Sequence, residues 1–127
     1  KGGTMRLGAY ACEVKEGTQA YKAYQSTLIY ERHRHRYELN NEYLKDFELE
    51  GLIASGINPD TKLVEIMELA HHPFFLGTQY HPELKSTVET PHPLFVAFVR
   101  ACLEEKLKRQ ENGQNSTVMS GKKLVTK

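Results

Sequence analysis

The chain is short of cysteine, of long apolar runs and of net charge, and each shortage removes a class of protein. Its two cysteines, Cys12 and Cys102, lie far apart in 127 residues, so no framework of spaced pairs supports a disulfide scaffold. No run of about 18 apolar residues exists to form a helix that spans a bilayer. The opening Lys1-Gly2-Gly3-Thr4-Met5-Arg6 lacks the apolar centre of a secretory signal. Without such a signal the thiols are expected to be reduced, which places the protein in the cytoplasm. The missing initiator methionine suggests a piece cut from a longer chain. The formal net charge is +1, of which Lys122, Lys123 and Lys127 contribute +3, leaving −2 over the first 111 residues. A protein that coats a nucleic-acid backbone is far more basic, so neither a nucleic-acid nor a membrane partner is expected.

What is present is an ordinary globular composition, 39% hydrophobic and 26% charged. A chain of this size buries roughly two-thirds of its unfolded surface, enough for one core. Met5 to Val14 reads as a strand ending at Lys15-Glu16-Gly17, and Thr18 caps a short helix carrying Ala20, Tyr21, Ala23 and Tyr24. Leu28 to Leu39 begins apolar and becomes densely charged. Asn40 and Asn41 are N-caps for a helix spaced by Tyr43, Leu44 and Phe47 and closed by Gly51. Leu52 to Ile57 and Leu63 to Leu69 read as strands joined by Asn58-Pro59-Asp60, and Phe74 to Tyr80 as another. Pro91-His92-Pro93 opens a helix whose apolar positions include Leu94, Phe95, Phe98, Val99, Cys102 and Leu103. The order implies an α/β fold, strand-rich in its middle and flanked by helices. Residues 1–110 form the folded unit, and the polar residues 111–127 a disordered tail.

Two constellations carry chemistry. His81-Pro82-Glu83 closes the last strand, and in an extended chain residues i and i+2 share a side. A carboxylate on one ring nitrogen fixes the tautomer and stabilises the imidazolium formed when the other nitrogen takes a proton, the base-and-orienter half of a nucleophilic triad. Taken alone, such a pair is most simply a surface histidine in a polar turn. It also lacks a nucleophile: Cys12 has no glycine elbow, Cys102 sits on an apolar helix face, and no Gly-x-Ser-x-Gly occurs. The second constellation is Arg32-His33-Arg34-His35-Arg36. Alternation sets the arginines on one face, suited to a carboxylate or phosphate, although a solvated charged strand fits the composition as well. Cationic neighbours disfavour a zinc ion on His33 and His35, and no metal is expected. His71, His72 and His92 read as loop or capping residues.

Gly2-Gly3-Thr4-Met5-Arg6-Leu7-Gly8, then Glu31 to Glu38 with Asn40-Asn41, then Gln79-Tyr80-His81-Pro82-Glu83, then Pro91-His92-Pro93-Leu94-Phe95 occur in that order. Together they resemble the C-terminal half of the class I glutamine amidotransferase domain of the CTP synthase family, over about residues 2–105. The resemblance implies part of a three-layer α/β amidotransferase domain. It implies an enzyme that makes CTP from UTP with ATP, magnesium and glutamine, is activated by GTP and works as a homotetramer. In that family a cysteine thiolate attacks the glutamine amide and the ammonia passes to a synthase domain. Carried over by motif, His81 is the general base and acid, Glu83 orients it, and Arg36 pairs with the α-carboxylate of glutamine. Leu84 departs from the phenylalanine usual after the motif. The cysteine elbow, the oxyanion glycines and the synthase domain would precede Lys1, so this chain alone should not hydrolyse glutamine and needs no cofactor of its own. Its partners would be glutamine and those upstream segments. The competing readings are the glutaminase unit of another amidotransferase, such as GMP synthetase, and a non-catalytic module that holds an anion on the Arg-His strand.

Overall fold

The computed structural model describes residues 5–121, with side chains described as far as Gly113. In chain order it contains β1 (Arg6–Val14), α1 (Gln19–Tyr24), β2 (Leu28–His35), α2 (Leu44–Leu49), β3 (Leu52–Ile57), β4 (Val64–Leu69), β5 (Leu76–Thr78) and α3 (Pro93–Gly121). Short 3-10 turns at Asn41–Tyr43 and Pro82–Lys85 complete it. The strands form one sheet in the order β2-β1-β3-β4-β5, and every neighbouring pair is antiparallel. The α/β reading therefore holds, with antiparallel pairing throughout.

Local sequence explains most boundaries. The Thr18 hydroxyl accepts from Tyr21 N–H and caps α1, and Asn40 caps the turn ahead of α2. Asn58 builds the β3–β4 turn by accepting from the N–H groups of Asp60 and Thr61. Gly51, at φ +85°, takes the left-handed conformation that closes α2, where any side chain would be strained. The strand expected over Phe74 to Tyr80 shrinks to β5, because Pro73 and the His72 ring, which accepts from Phe74 N–H, hold its first residues in a turn.

The core lies between the sheet, α1 and the start of α3, and contains Cys12, Val14, Ala20, Ile29, Ile66, Tyr80 and Leu94. Of the apolar positions expected on α3, Leu94 is buried, whereas Phe95, Phe98, Val99, Cys102 and Leu103 are exposed. The helix packs against α1 and sets Phe98 beside Phe74, but Cys102 is exposed and is not the buried thiol its apolar surroundings suggested. Its backbone continues to Gly121, through the first part of the stretch read as tail. Residues 122–127, the rest of that expected tail, lie outside the described residues.

Candidate functional site

The His81–Glu83 pair forms, by a different route from the one expected. The strand ends at Thr78, and His81 is extended at φ −107° and ψ 92°, directly ahead of the Pro82–Lys85 turn. Pro82 has no N–H to continue a ladder and its fixed φ starts the turn, which swings Glu83 back under the imidazole. Nδ1 of His81 lies 2.7 Å from Oε1 of Glu83, so Nδ1–H donates and Nε2 is left for an outside proton. The Glu83 backbone N–H, and after it His81, hold the Glu83 carboxyl below the usual carboxylate range. The orienter is therefore charged at neutral pH. Neither residue is in a closed cleft, since their side chains are 41% and 60% exposed. Leu84, beside them, is exposed as well.

The arginine row divides at the end of β2. Arg32 and Arg34 point outward while His33 and His35 turn inward, as strand alternation requires. Arg36 lies one residue beyond the strand, exposed, and outside the regular alternation. Among the described residues it makes no ion pair with the dyad or with any carboxylate.

The inward face of β2 holds a buried polar network. Nη2 of Arg6 is 2.7 Å from Glu65 and Nη1 is 3.5 Å from Glu38. The same guanidinium stands 4.4 Å above the Tyr10 ring. Desolvation would lower the Arg6 pKa, but Glu65 and Glu38 together raise it above its ordinary value. Burial, together with Arg6 and His35, pushes His33 down to about 4, so it is neutral. Nδ1 of His35 faces the Tyr37 carbonyl at 3.1 Å, and its Nε2 faces Nδ1 of His33 at 2.7 Å. His33, His35 and Glu65 each bring a ligand atom within 4.8 Å of the others. Two nitrogens and a carboxylate already engaged by Arg6 do not suit magnesium, which wants a shell of oxygens.

Behind the dyad stands a residue that sequence reasoning passed over, Glu31. It is 1% exposed. Its Oε1 accepts from Tyr24 Oη at 2.9 Å and from His92 Nε2 at 2.7 Å. Its one sequence signal was position: two residues before His33, on the inward phase of the same strand. His92 does cap α3, as expected, because its Nδ1 accepts from Leu94 N–H. That bond fixes the tautomer and leaves Nε2–H to donate to Glu31.

The arrangement can hold a charged carboxylate against an imidazole and present the free imidazole nitrogen to a reactant. The described residues supply no nucleophile beside it. Cys12 is fully buried, with its thiol pushed up to about 12 by desolvation and by nearby carboxylates. Among the described residues no helix is long and apolar enough to cross a membrane.

Comparison with known proteins bears on the same residues. The family model described as glutamine amidotransferase class-I matches residues 1–101. The chain is 67% identical over 101 residues to a CTP synthase of Cytophaga hutchinsonii, covering 80% of this chain and 19% of that protein. It is 65% identical over 107 residues to a CTP synthase of Aquifex aeolicus, covering 84% and 20%. It thus spans about a fifth of these curated relatives. The solved glutaminase domain of Trypanosoma brucei CTPS with bound acivicin superposes at a TM-score of 0.75 and 36% identity, covering 80% of this chain and 40% of that one. The fold is the one found in that domain.

Proposed function

Because the chain belongs to the glutamine amidotransferase class-I family, we propose that it is the C-terminal part of the glutaminase domain of a CTP synthase. The observation that carries the reading is the His81–Glu83 pair at 2.7 Å with its second imidazole nitrogen open to solvent. The arginine-histidine strand beside it and the identity to two CTP synthases direct it to this enzyme rather than to a GMP synthetase-like amidotransferase.

In this mechanism a cysteine on the part of the protein outside these residues gives its thiol proton to Nε2 of His81. The thiolate then attacks the side-chain carbonyl of glutamine. The Glu83 carboxylate holds the imidazolium through Nδ1–H, and His81 returns the proton to the departing nitrogen as ammonia leaves. His81 next takes a proton from water, which attacks the thioester and releases glutamate and the thiol. Arg36, free and exposed beyond β2, binds the α-carboxylate of glutamine by paired hydrogen bonds. The ammonia passes to a synthase domain that consumes UTP and ATP with magnesium, under activation by GTP, in a cytoplasmic homotetramer. The ATP and magnesium belong to that domain.

The test compares nitrogen donors in the full-length protein. Glutamine-dependent CTP formation should vanish in His81→Ala while ammonia-dependent formation persists. This chain by itself should hydrolyse glutamine no faster than its own His81→Ala variant. Activity of the isolated wild-type chain that is lost in that variant would overturn the division of the site.

A further inference from the structure

The turn that carries the dyad is fastened to three successive residues of β2. The Lys85 ammonium donates to the Tyr30 carbonyl, and the His81 N–H donates to the Arg32 carbonyl at 3.0 Å. Between them, Glu31 reaches the turn through side chains. Tyr80, immediately before His81 and 2% exposed, is 2.9 Å through its hydroxyl from that of Tyr24. The direction of this relay follows from its ends. His92 Nε2–H and Tyr24 O–H both donate to Glu31, so Tyr80 must donate to Tyr24. Burial pushes both phenols well above their ordinary pKa, so both keep the protons that this direction needs. Glu31 is the sole terminal acceptor of the relay. The other oxygen of Glu31 is 4.0 Å from the Lys85 ammonium on the far side of the dyad.

Resting on the glutaminase reading above, we propose that Glu31 is a positioning residue for His81. It holds Tyr24 and His92 on one carboxylate, and Tyr80 through Tyr24, and so fixes where the imidazole meets the thiol. It does not touch the reactants. A turn held only at the two backbone carbonyls could pivot about the line joining them, and the Tyr80 link removes that freedom. A misplacement of about 1 Å is enough to cost on the order of 10²-fold in rate when the reacting groups must be aligned.

The experiment uses the full-length enzyme and three variants. Glu31→Leu fills the space but accepts nothing, Glu31→Gln keeps an acceptor oxygen, and Tyr24→Phe keeps the ring while cutting the link from Tyr80. In Glu31→Leu, glutamine-dependent kcat should fall at least about tenfold with KM for glutamine within about threefold. Glu31→Gln should recover most of that loss, Tyr24→Phe should lose about threefold in kcat, and ammonia-dependent CTP formation should stay at the wild-type level throughout. The proposal is overturned if Glu31→Leu keeps its glutamine-dependent kcat. It is equally overturned if ammonia-dependent turnover falls in step, which marks a purely structural role, or if Gln rescues nothing. Should Glu31→Leu not fold, the same split or its absence in Tyr24→Phe decides. A wild-type enzyme that makes no CTP from either nitrogen donor would instead refute the glutaminase reading, a result distinct from all of these.

Discussion

Replacing Arg6 by methionine tests the buried network behind the dyad most severely. Arg6 and Glu65 have side chains only 9% and 0% exposed and meet at 2.7 Å, so both were desolvated on folding and each is the other's main compensation. Arg6→Met keeps most of the stem's bulk but removes the charge, which leaves buried Glu65 with only the neutral His33 ring at 3.7 Å and Glu38 without its 3.5 Å contact. Breaking a buried pair in this way costs about 3–5 kcal/mol, and the lost stacking on Tyr10 adds about 1 kcal/mol. A domain of this size has about 5–15 kcal/mol in total, so the variant should be near unfolding at 25 °C. In urea, with a slope of about 1–3 kcal/mol per molar, the midpoint should fall by about 2 M. Adding Glu65→Leu removes the stranded charge and should restore most of the loss. The single variant should also gain relative stability as pH falls. Burial already raises the Glu65 carboxyl above 4.5 despite Arg6, and a raised carboxyl favours the fold below its unfolded pKa and disfavours it as pH rises through the folded value. A midpoint for Arg6→Met within 0.5 M of wild type, on the order of 1 kcal/mol by the same slope, would refute the reasoning. So would a double variant no better than the single.

Three further outcomes follow from other parts of the molecule. Gly56→Ala puts a methyl 2.5 Å from Ile66 Cγ1 and 2.7 Å from Cys12 Sγ, both fully buried; it should cost about 1–3 kcal/mol in urea unfolding, and that cost should shrink when combined with Ile66→Ala. His33, held down to about 4 against an ordinary 6.5, stays neutral in the fold while the unfolded chain takes up a proton. Stability should therefore drop as pH falls from 6.5 to 4, by up to about 3 kcal/mol, and His33→Gln should flatten this slope in thermal melts at stepped pH. Glu83→Gln in the full-length enzyme should lower glutamine-dependent kcat by about 10–10²-fold, less than for a buried orienter because water reaches this pair, and unchanged kcat would remove Glu83 from the mechanism.

The parts of the fold that were legible from the sequence are those specified locally. Thr18, Asn40, Asn58 and Gly51 each act within about one turn of their own position, and the caps and turns they imply are present. The alternation of β2 likewise sent His33 inward and Arg32 outward. What failed depended on partners distant in sequence. A period of 3.6 says which side of α3 is apolar but not whether anything covers it, so Phe98 and Cys102 read as core and are exposed. Glu31 was invisible for the same reason: its partners Tyr24, Tyr80 and His92 are 7 to 61 residues away or reached through another side chain. A charged residue in a charged run carries no mark of burial. His81 and Glu83 were found because their chemistry is written over three residues. His81 is extended as the motif implies, and the turn that begins at Pro82, rather than a continued strand, is what brings Glu83 to it.

The position of β2 at the edge of the sheet explains why the dyad sits where it does. One side of β2 pairs with β1 from Glu13↔Leu28 to Arg6↔His35, and among the described residues the other side has no strand beside it. An open edge presents a row of carbonyls and N–H groups that must find partners or solvent. In an extended strand the carbonyls of alternate residues face the same way, and those of Tyr30 and Arg32 face the dyad turn, where Lys85 and His81 occupy them. A sixth strand paired there would satisfy the edge equally well but would bury it, whereas the proposed mechanism needs His81 open to a thiol from another segment. A 3-10 turn opened by proline satisfies two carbonyls, ends the ladder and leaves His81 facing outward. The same strand turns Glu31 inward and leaves Arg36 exposed just past its end, the two positions that the proposed mechanism uses for the turn and for the substrate carboxylate. Of the inward residues of β2, Ile29 belongs to the core, so its loss should weaken the fold, whereas a substitution at Glu31 should be felt first in glutamine-dependent turnover.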